Sequence, residues 1–396
     1  MRRVKLLILS QYFWPENFRI NDVAEGLASR GHEVTVYTAL PNYPTGKFFE
    51  GYGAFGPLAN DFRGVKVRRV PIIPRGKGGS VRLAFNYLSH AFMATALAPF
   101  VRGKFDAILV YEPSPMTIGI PARALRALKG APLLFWVQDL WPESLSATGA
   151  VRSRAVLALV DRLIKWIYRG CDRVLVQSET FIPSVEAHGV PKDRIRYLPN
   201  SAESFYRKVS TEKKDGFQVL YAGNIGAAQD FPTILAAAER SRDVQWIIVG
   251  DGRMRAWVES EVKKRSLGNV RLLGQRPSEE MPRLFAQADV LLATLRREPI
   301  FAYTIPSKIQ SYLACGRPVI AAMEGEGGRI IRDAGAGWAV PPEDPAALAD
   351  AVLAASRLER SELDAMGNRG EAWFREHFER EKLLSRLEAF LREVKQ

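Results

Sequence analysis

The chain contains the stretch Pro306-Ser307-Lys308-Ile309-Gln310-Ser311-Tyr312-Leu313-Ala314-Cys315-Gly316-Arg317-Pro318-Val319-Ile320, which is the most informative about its fold. The pattern predicts a turn, a helix over residues 307–314 with Ser307 as its N-cap, and a buried strand over residues 319–322. The start of such a helix offers free backbone N–H groups, a hydroxyl and the ammonium of Lys308, which together suit a diphosphate. A capped helix with a surface lysine is the plainer alternative.

The composition is that of a globular protein, with 47% hydrophobic and 25% charged residues. A length of 396 residues predicts two domains. The two cysteines, Cys171 and Cys315, indicate neither a disulfide framework nor a thiolate metal site, so a reducing compartment is expected. The apolar run that follows Arg2 is short and lacks a cleavage site, so it predicts a buried strand. No apolar stretch reaches membrane-spanning length.

The net charge of +13 is unevenly distributed. Residues 1–200 carry 27 Lys and Arg against 15 Asp and Glu, which gives +12, whereas residues 201–396 carry 29 against 28, which gives +1. A basic first half indicates an acidic partner, either a membrane surface, a phosphate-bearing substrate or nucleic acid. A solubilising surface is the plainer alternative. No nucleic-acid-binding motif is visible and the charge forms no stripe, so no nucleic acid is expected.

One long helix candidate, residues 80–100, is apolar and flanked by basic residues. Three of them flank its start and two follow its end: Arg75, Lys77, Arg82, Arg102 and Lys104. Apolar insertion with basic anchoring is how a protein without a spanning helix holds an anionic membrane surface. The alternative is that this helix packs into the core of the first domain.

Predicted strands and helices alternate along the chain. The strand candidates are residues 4–9, 33–38, 65–70, 107–110, 133–137, 173–177 and 195–198, then 217–222, 244–249, 270–273, 290–293 and 319–322. A polar stretch over residues 201–216, with Lys213-Lys214-Asp215-Gly216, is interpreted as a linker. The pattern predicts an α/β protein with two Rossmann-like domains facing a central cleft, and only helices after residue 345.

Two glycine-rich turns follow predicted strands of the second half, Ala222-Gly223-Asn224-Ile225-Gly226 and Val249-Gly250-Asp251-Gly252-Arg253. Glycine at such a turn lets a phosphate approach the backbone, and Arg253 is available for an anion. Ile225 stands where a dinucleotide fingerprint needs a glycine, so that fingerprint is absent. Ordinary tight turns are the alternative.

Polar and acidic residues end the predicted strand 133–137 in Val137-Gln138-Asp139-Leu140-Trp141-Pro142-Glu143-Ser144. Asp139 and Glu143 are candidates to orient a substrate hydroxyl or take its proton, or else are turn and cap residues. The loop over residues 12–19 is aromatic, and its rings either stack on a sugar or pack on the domain edge. The four histidines are scattered, so no metal site is expected.

These motifs, with Gly31-His32-Glu33-Val34-Thr35-Val36 and Ala314-Cys315-Gly316-Arg317-Pro318-Val319-Ile320, resemble the family 4 retaining glycosyltransferases of GT-B fold. The likeness is greatest to the WbuB/WcaI type of O-antigen and colanic-acid assembly. It implies an acceptor domain over residues 1–202, joined by a returning C-terminal helix at about 376–396, and a nucleotide-sugar domain over 203–375. It also implies transfer with retention at the anomeric carbon, no metal and no other cofactor.

The resemblance assigns roles to individual residues. Catalytic roles fall to Asp139, Lys308, Gln138 and Glu143. The donor diphosphate would be bound by Gly223, Asn224, Gly226, Ser307, Lys308 and Arg253. The nucleoside would be bound by Gly250, Leu273, Gly274, Gln275, Gln310 and Ser311. The donor sugar or the acceptor would be contacted by Glu16, Asn17, Arg19, Phe301, Tyr303 and Ile305.

The chain departs from the family pattern at three places. Gln138 stands where many members have histidine, and Tyr303 and Ser311 stand where many have two glutamates. The common Gly-Gly of the first loop is Phe18-Arg19 here. These changes are shared with the WbuB-like type and are not interpreted as loss of activity.

The expected function is transfer of a sugar from a UDP-linked donor, N-acetylated or deoxy, to a polyprenyl-diphosphate-linked glycan in surface-polysaccharide biosynthesis. The expected location is cytoplasmic, on the inner face of the cell membrane. Two other functions remain open, a sugar-nucleotide epimerase on a related two-domain fold and a non-catalytic, basic nucleic-acid-binding protein.

Overall fold

The computed structural model describes residues 3–76, 79–147, 151, 153–212 and 216–394. The chain forms two compact units, the first comprising Met1–Pro199 with Glu381–Gln396 and the second Asn200–Arg380. The predicted domain limits were 202/203 and about 376. Arg2, Lys77 and residues 213–215 of the predicted linker lie outside the described residues.

The first unit has an eight-stranded sheet in the order β3-β4-β2-β1-β5-β6-β7-β8. Every neighbouring pair is parallel except β3 and β4, which are antiparallel. The strands are β1 Lys5–Leu9, β2 Glu33–Ala39, β3 Ala59–Phe62, β4 Val65–Val70, β5 Ala107–Glu112, β6 Leu133–Val137, β7 Arg173–Val176 and β8 Ile195–Tyr197. The helices that connect them are α1 Arg19–Ser29, α2 Ser80–Ala96, α3 Gly119–Lys129, α4 Glu143–Ala147, α5 Arg154–Arg169 and α6 Ile182–Ala187.

The second unit has a six-stranded sheet, all parallel, in the order β11-β10-β9-β12-β13-β14. The strands are β9 Gln218–Ala222, β10 Gln245–Val249, β11 Val270–Gly274, β12 Val290–Thr294, β13 Val319–Ala322 and β14 Gly337–Val340. The helices are α7 Phe231–Arg240, α8 Arg255–Lys264, α9 Met281–Gln287, α10 Pro299–Tyr303, α11 Ser307–Ala314, α12 Glu326–Asp333, α13 Pro345–Ser356 and α14 Arg360–His377. This strand order is that of a Rossmann fold, with its topological switch point between β9 and β12.

Buried apolar runs explain the central strands. Residues 6–9 of β1 and all of β6 and β12 are buried, as expected for parallel strands covered by helices on both faces. The last helix, α15 Arg380–Glu393, packs Leu383, Leu384 and Leu387 into the core of the first unit. The predicted α/β class and the returning C-terminal helix are therefore confirmed.

Several details of the secondary structure differ from the predictions. Strands β3 and β14 were not predicted, and both lie at sheet edges. Pro306, not Ser307, occupies the N-cap position of α11, so the predicted capping role of Ser307 is wrong. Proline can hold the extended conformation required there, and Ser307 becomes the first helical residue. Arg19 begins α1 rather than ending a loop.

Helix α2 ends at Ala96 and is followed by a 3₁₀ turn over Ala98–Phe100. The observed helix is therefore shorter than the predicted one over residues 80–100. Within the described parts of the chain, no helix combines the length and the apolar character needed to cross a membrane.

Candidate active site

Three turns of the second unit meet at the carboxyl ends of neighbouring strands. Gly223 follows β9, Gly250 follows β10, and Gly274 ends β11. The N–H of Gly223 donates to the carbonyl of Val249 (3.0 Å), and the N–H of Gly250 donates to the carbonyl of Gly274 (2.9 Å). Ligands of open parallel sheets bind at this end, beside the switch point. The predicted donor-binding turns are thus brought together.

The close approach of these turns requires glycine. Gly223 and Gly250 have φ values of +144° and +138°, which residues with a side chain rarely adopt. A Cβ atom on Gly250 would lie 1.9 Å from the carbonyl oxygen of Gly223, so the two turns could not remain in contact. Beyond them, Asn224 donates through Nδ2 to Oε1 of Gln229 (3.3 Å), beside Gly226.

Lys308 extends from the first turn of α11 to the Gly223 turn. Its Nζ atom is inaccessible to solvent and makes no hydrogen bond with any described residue. It lies 4.0 Å from the centroid of the Tyr221 ring, and a Cβ atom added to Gly223 would lie 3.3 Å from it. Burial lowers the pKa of Lys308 to about 7. An unpartnered, buried amine beside glycine turns is a receptor for an anion.

The other predicted diphosphate ligands are less enclosed. Ser307 is exposed at the start of α11, where the positive end of the helix dipole lies. Arg253 is exposed in the turn that precedes α8. Exposure leaves both residues accessible to a ligand, whereas the structure gives neither a fixed contact with Lys308.

The predicted nucleoside ligands divide into two groups. Gln275 is exposed after β11, and Leu273 is half-buried in the core beside it. Gln310 is fully buried, and with its Nε2 facing the helix start it donates to the carbonyls of Pro306 (3.0 Å) and Ser307 (3.1 Å). Ser311 is also buried. The amide of Gln310 therefore holds the first turn of α11, and its predicted contact with the nucleoside is not favoured.

The residues around α10 differ in exposure. Tyr303 is 41% exposed, Phe301 is half-buried, and Ile305 is buried in the hydrophobic core. Tyr303 is therefore available to a ligand, whereas Ile305 is placed as a packing residue.

In the first unit, Asp139 follows β6 and accepts hydrogen bonds from Trp141 Nε1 (3.1 Å) and Ser144 Oγ (3.2 Å). Burial raises the pKa of Asp139 to about 6, and these two donors oppose the shift. Gln138 is held through its N–H, which donates to the Glu112 carbonyl (3.0 Å). A carboxylate that titrates near neutrality can orient a hydroxyl or accept its proton.

Two further carboxylates lie near Asp139. Glu143 starts α4 and accepts a hydrogen bond from Ser184 Oγ at 2.5 Å. Glu112, which the sequence analysis did not single out, ends β5 and is fully buried. Burial, followed by the charge of Asp139, raises the pKa of Glu112 well above its usual value. The signal in the sequence was an acidic residue at a strand end, directly before a proline.

The loop after β1 is held by a buried carboxylate. Glu16 accepts hydrogen bonds from the N–H groups of Asn42 (2.8 Å), Tyr43 (2.7 Å) and Phe13 (3.3 Å), and burial raises its pKa to about 7. These contacts favour a structural role for Glu16 over the predicted contact with a sugar. Asn17 lies in the same loop.

The aromatic side chains of this loop pack on one another and on the neighbouring strand. The Tyr12 and Phe18 rings stack at 4.8 Å, and Trp14 stacks on Phe62 at 5.2 Å. These contacts favour packing on the domain edge as the role of these rings.

A cavity of about 440 Å³ lies at the amino ends of the strands in the sheet of the first unit, beside the first residue of β7. The candidate site residues follow the carboxyl ends of these strands. Its lining includes Arg126, which pairs with Asp172, and Arg173, which pairs with Glu393. The cavity is thus part of a surface ion-pair network and takes no part in the candidate site.

Among the described residues, no group of three or more His, Cys, Asp or Glu is placed to hold a metal ion.

Comparisons with known proteins agree with the two units. Residues 17–201 match the family model described as a glycosyl transferase 4-like domain, and residues 216–357 match glycosyl transferases group 1. A protein of Escherichia coli K12 named as the colanic acid biosynthesis glycosyl transferase WcaI is 26% identical over 346 residues, which are 81% of this chain and 84% of that protein. WbjE of Pseudomonas aeruginosa, named as a glycosyltransferase, is 27% identical over 283 residues, 66% of this chain and 69% of WbjE.

A solved structure shares the fold over the whole chain. HepE of Anabaena, crystallised in complex with UDP and glucose, superposes with a TM-score of 0.73. The match covers 99% of this chain and all of HepE, at 17% sequence identity. The likeness establishes the fold.

Proposed function

The chain belongs to the family 4 glycosyltransferases of the GT-B fold, of the type found in O-antigen and colanic-acid assembly, and from this we propose its reaction. It transfers a sugar from a UDP-linked donor to a lipid-linked glycan, with retention at the anomeric carbon and without a metal ion. The observation that carries the proposal is the buried Lys308 Nζ beside the Gly223 turn.

The second unit binds the donor. Gly223 has no side chain beside Lys308, so a diphosphate approaches the backbone of its turn, as phosphates do at other glycine turns, and the close contact with Gly250 holds that turn in place. The first N–H groups of α11 add the positive end of a helix dipole. Lys308 supplies the cation, and the exposed Arg253 supplies a second one at the outer side of the turn. Gly274 and Gln275 lie at the end of the neighbouring strand, where the nucleoside binds.

Catalysis consists mainly of stabilising the leaving group. As the bond between the anomeric carbon and the phosphate oxygen breaks, its electron pair moves to the diphosphate, and negative charge grows beside Lys308. A cation and N–H groups already in place stabilise that charge without reorganisation. The acceptor oxygen forms the new bond on the face that the diphosphate leaves, and its proton passes to the departing phosphate oxygen, so configuration is retained.

The first unit binds the acceptor. Asp139 in its ionised form accepts a hydrogen bond from an acceptor hydroxyl, while Trp141 and Ser144 fix the orientation of its carboxylate. Gln138 takes the position where many relatives carry histidine. Its amide can donate and accept hydrogen bonds at that strand end, but it does not titrate.

A lipid-linked acceptor requires the enzyme to work at a membrane surface, and α2 is built for one. Its side chains are distributed in the opposite way to an ordinary surface helix. Asn86 and His90 face inwards and are buried, whereas Phe85, Leu88 and Phe92 face outwards and are 57%, 57% and 70% exposed. The apolar face of a helix normally covers the core.

The helices beside α2 also carry exposed apolar side chains. Helix α3 packs against both α2 and α5, and Leu128 of α3 and Leu159 and Trp166 of α5 are also exposed. Arg82 at the start of α2 and the excess of 12 positive charges in residues 1–200 favour contact of these apolar side chains with an anionic membrane. In this proposal the enzyme is a peripheral membrane protein on the cytoplasmic face.

The test is incubation with a panel of nucleotide sugars, first alone and then with polyprenyl-diphosphate-linked glycans. We expect slow release of nucleotide diphosphate without acceptor and fast release with it, with product of retained configuration by NMR. Lys308→Ala should lower kcat/KM by about 10²- to 10³-fold, as loss of an oxyanion donor does, with an unchanged far-UV circular dichroism spectrum. Conversion of a nucleotide sugar into its epimer, or a Lys308→Ala variant of normal rate, would contradict the proposal.

A further inference from the structure

The surroundings of the Lys308 amine contain no anion. No carboxylate of the described residues lies within ion-pair distance of Nζ, and no described atom accepts a hydrogen bond from it. Its attractive contact is with the face of the Tyr221 ring, at 4.0 Å. A buried ammonium in these surroundings keeps a favourable cation–π contact and loses its hydration.

Apart from Lys308, the titratable groups on β9 and α11, the two elements that carry the site, are two tyrosines. Tyr221 belongs to β9 and donates to the carbonyl of Asn224 (2.7 Å). Tyr312 belongs to α11, and its hydroxyl accepts from the N–H of Ala222 (3.0 Å). Burial raises the pKa of both tyrosines, so both are neutral near pH 7. Neither supplies a negative charge to Lys308.

We propose that binding of the donor's diphosphate is coupled to the uptake of one proton by Lys308, and that Tyr221 is the positioning residue that holds the amine beneath the Gly223 turn. This inference rests on the proposed function, because it takes the diphosphate to be the ligand of this site. The step is balanced as neutral amine plus one proton from the solvent plus the diphosphate dianion, giving an ammonium paired with the diphosphate.

The sign of the pH dependence follows from the two states of the amine. Burial places the pKa of Lys308 at about 7 in the free protein, so the amine is mainly neutral at pH 8. A bound dianion favours the ammonium and raises that pKa. Proton uptake is therefore small at pH 6 and approaches one proton at pH 8.5. Over the same range the donor dissociation constant rises, by up to about tenfold per pH unit above pH 7.

Isothermal titration calorimetry tests this coupling. UDP-glucose is the probe, because its diphosphate keeps both charges between pH 6 and 9. Titrations at each pH in two buffers with different ionisation enthalpies give the number of protons taken up. We expect uptake to rise from near zero at pH 6 to near one at pH 8.5. Lys308→Arg, which stays charged throughout, should bind with no uptake and with a dissociation constant independent of pH.

The outcomes separate this inference from the proposed function. Binding of UDP-glucose without buffer-dependent heat at pH 8.5 would overturn the coupling and leave the transferase function standing. Absence of binding by UDP-glucose and by every nucleotide sugar of the panel would overturn both. Uptake that persists in Lys308→Arg would place the proton on another group and refute the assignment.

The positioning role of Tyr221 needs its own pair of variants. Tyr221→Phe keeps the ring and should keep the wild-type uptake curve. Tyr221→Leu removes the ring, so the free ammonium loses its attractive partner and the onset of uptake should move down by about one pH unit. Phe231→Leu is the matched control, because Phe231 packs edge-on against Tyr221 at 5.1 Å and the change removes similar volume from the same core. Equal curves for Tyr221→Leu and Phe231→Leu would refute the role.

Discussion

Replacement of three exposed side chains on α2 should release the protein from anionic membranes. The change is Phe85→Ser, Leu88→Ser and Phe92→Ser together. Their side chains are 57%, 57% and 70% exposed, so they contribute little to the folded core and the variant should keep its thermal unfolding midpoint. Their burial in lipid is the contribution that the substitutions remove.

The expected magnitude follows from those exposures. Full burial of a leucine or phenylalanine side chain contributes about 1.5 to 3 kcal/mol. With somewhat over half of each side chain exposed, insertion of all three is worth about 3 to 5 kcal/mol. Taking the lower figure, the triple variant should bind vesicles roughly a hundredfold more weakly, since 1.4 kcal/mol is a factor of ten.

Flotation with vesicles of anionic and of neutral lipid gives the partition coefficients. Phe55→Ser is the matched control, because Phe55 is 89% exposed in the same unit and lies outside α2. We expect the control to bind like the wild type and the wild type to bind anionic vesicles better, with weakening by salt. Equal loss in the control and the triple variant, or equal binding of the wild type to neutral and anionic vesicles, would refute the reasoning.

Two further predictions concern the site. Asp139→Asn should lower kcat at least about a hundredfold. The wild-type rate is expected to fall as the pH drops through about 6, where protonation removes the carboxylate, and the variant should lose this fall. Measurement of kcat from pH 5 to 8 checks both effects, and a lost melting transition with normal specific activity would make Asp139 a structural residue. Gly250→Ala should weaken UDP-glucose binding by at least tenfold in calorimetry. The new Cβ would lie 1.9 Å from the Gly223 carbonyl oxygen and must displace that turn. Unchanged affinity would show that the turn does not bind the diphosphate.

The central strands could be predicted from sequence because burial on both faces leaves a continuous apolar run. Strands β1, β6 and β12 are of this kind. The two unpredicted strands are edge strands with mixed composition. In β3 only Phe62 is buried, and β14 is half-buried throughout and begins with Gly337. Their pairing is stabilised by one neighbour each, and neither carries a hydrophobic period that marks it as a strand.

The glycine turns of the site were predictable because their conformation constrains the residue type, whereas the contacts of Lys308 were not. The helix start and its lysine are visible in the sequence. The ring beneath the amine comes from Tyr221 on β9, and only the packing of α11 beside β9 brings it there.

The hydrophobic periodicity also predicted α2 as a helix, but it did not indicate which face of the helix is buried. Buried Asn86 can occupy that face because it accepts from Gln11 (2.9 Å) and donates to the carbonyl of Ile73 (2.7 Å).

The departures from the family pattern and the state of Lys308 have one physical explanation. Residue 311 lies three positions after Lys308 on α11, and residues at that spacing are neighbours on a helix surface. A glutamate at position 311, common in the family, would stand beside the amine, pair with it and raise its pKa. Serine at this position leaves the amine without that partner, so burial lowers its pKa to about 7 and the Tyr221 ring is its remaining attractive contact. The charge that pairs with Lys308 must then come from the ligand, which makes the loss of the glutamate a condition for proton-coupled donor binding.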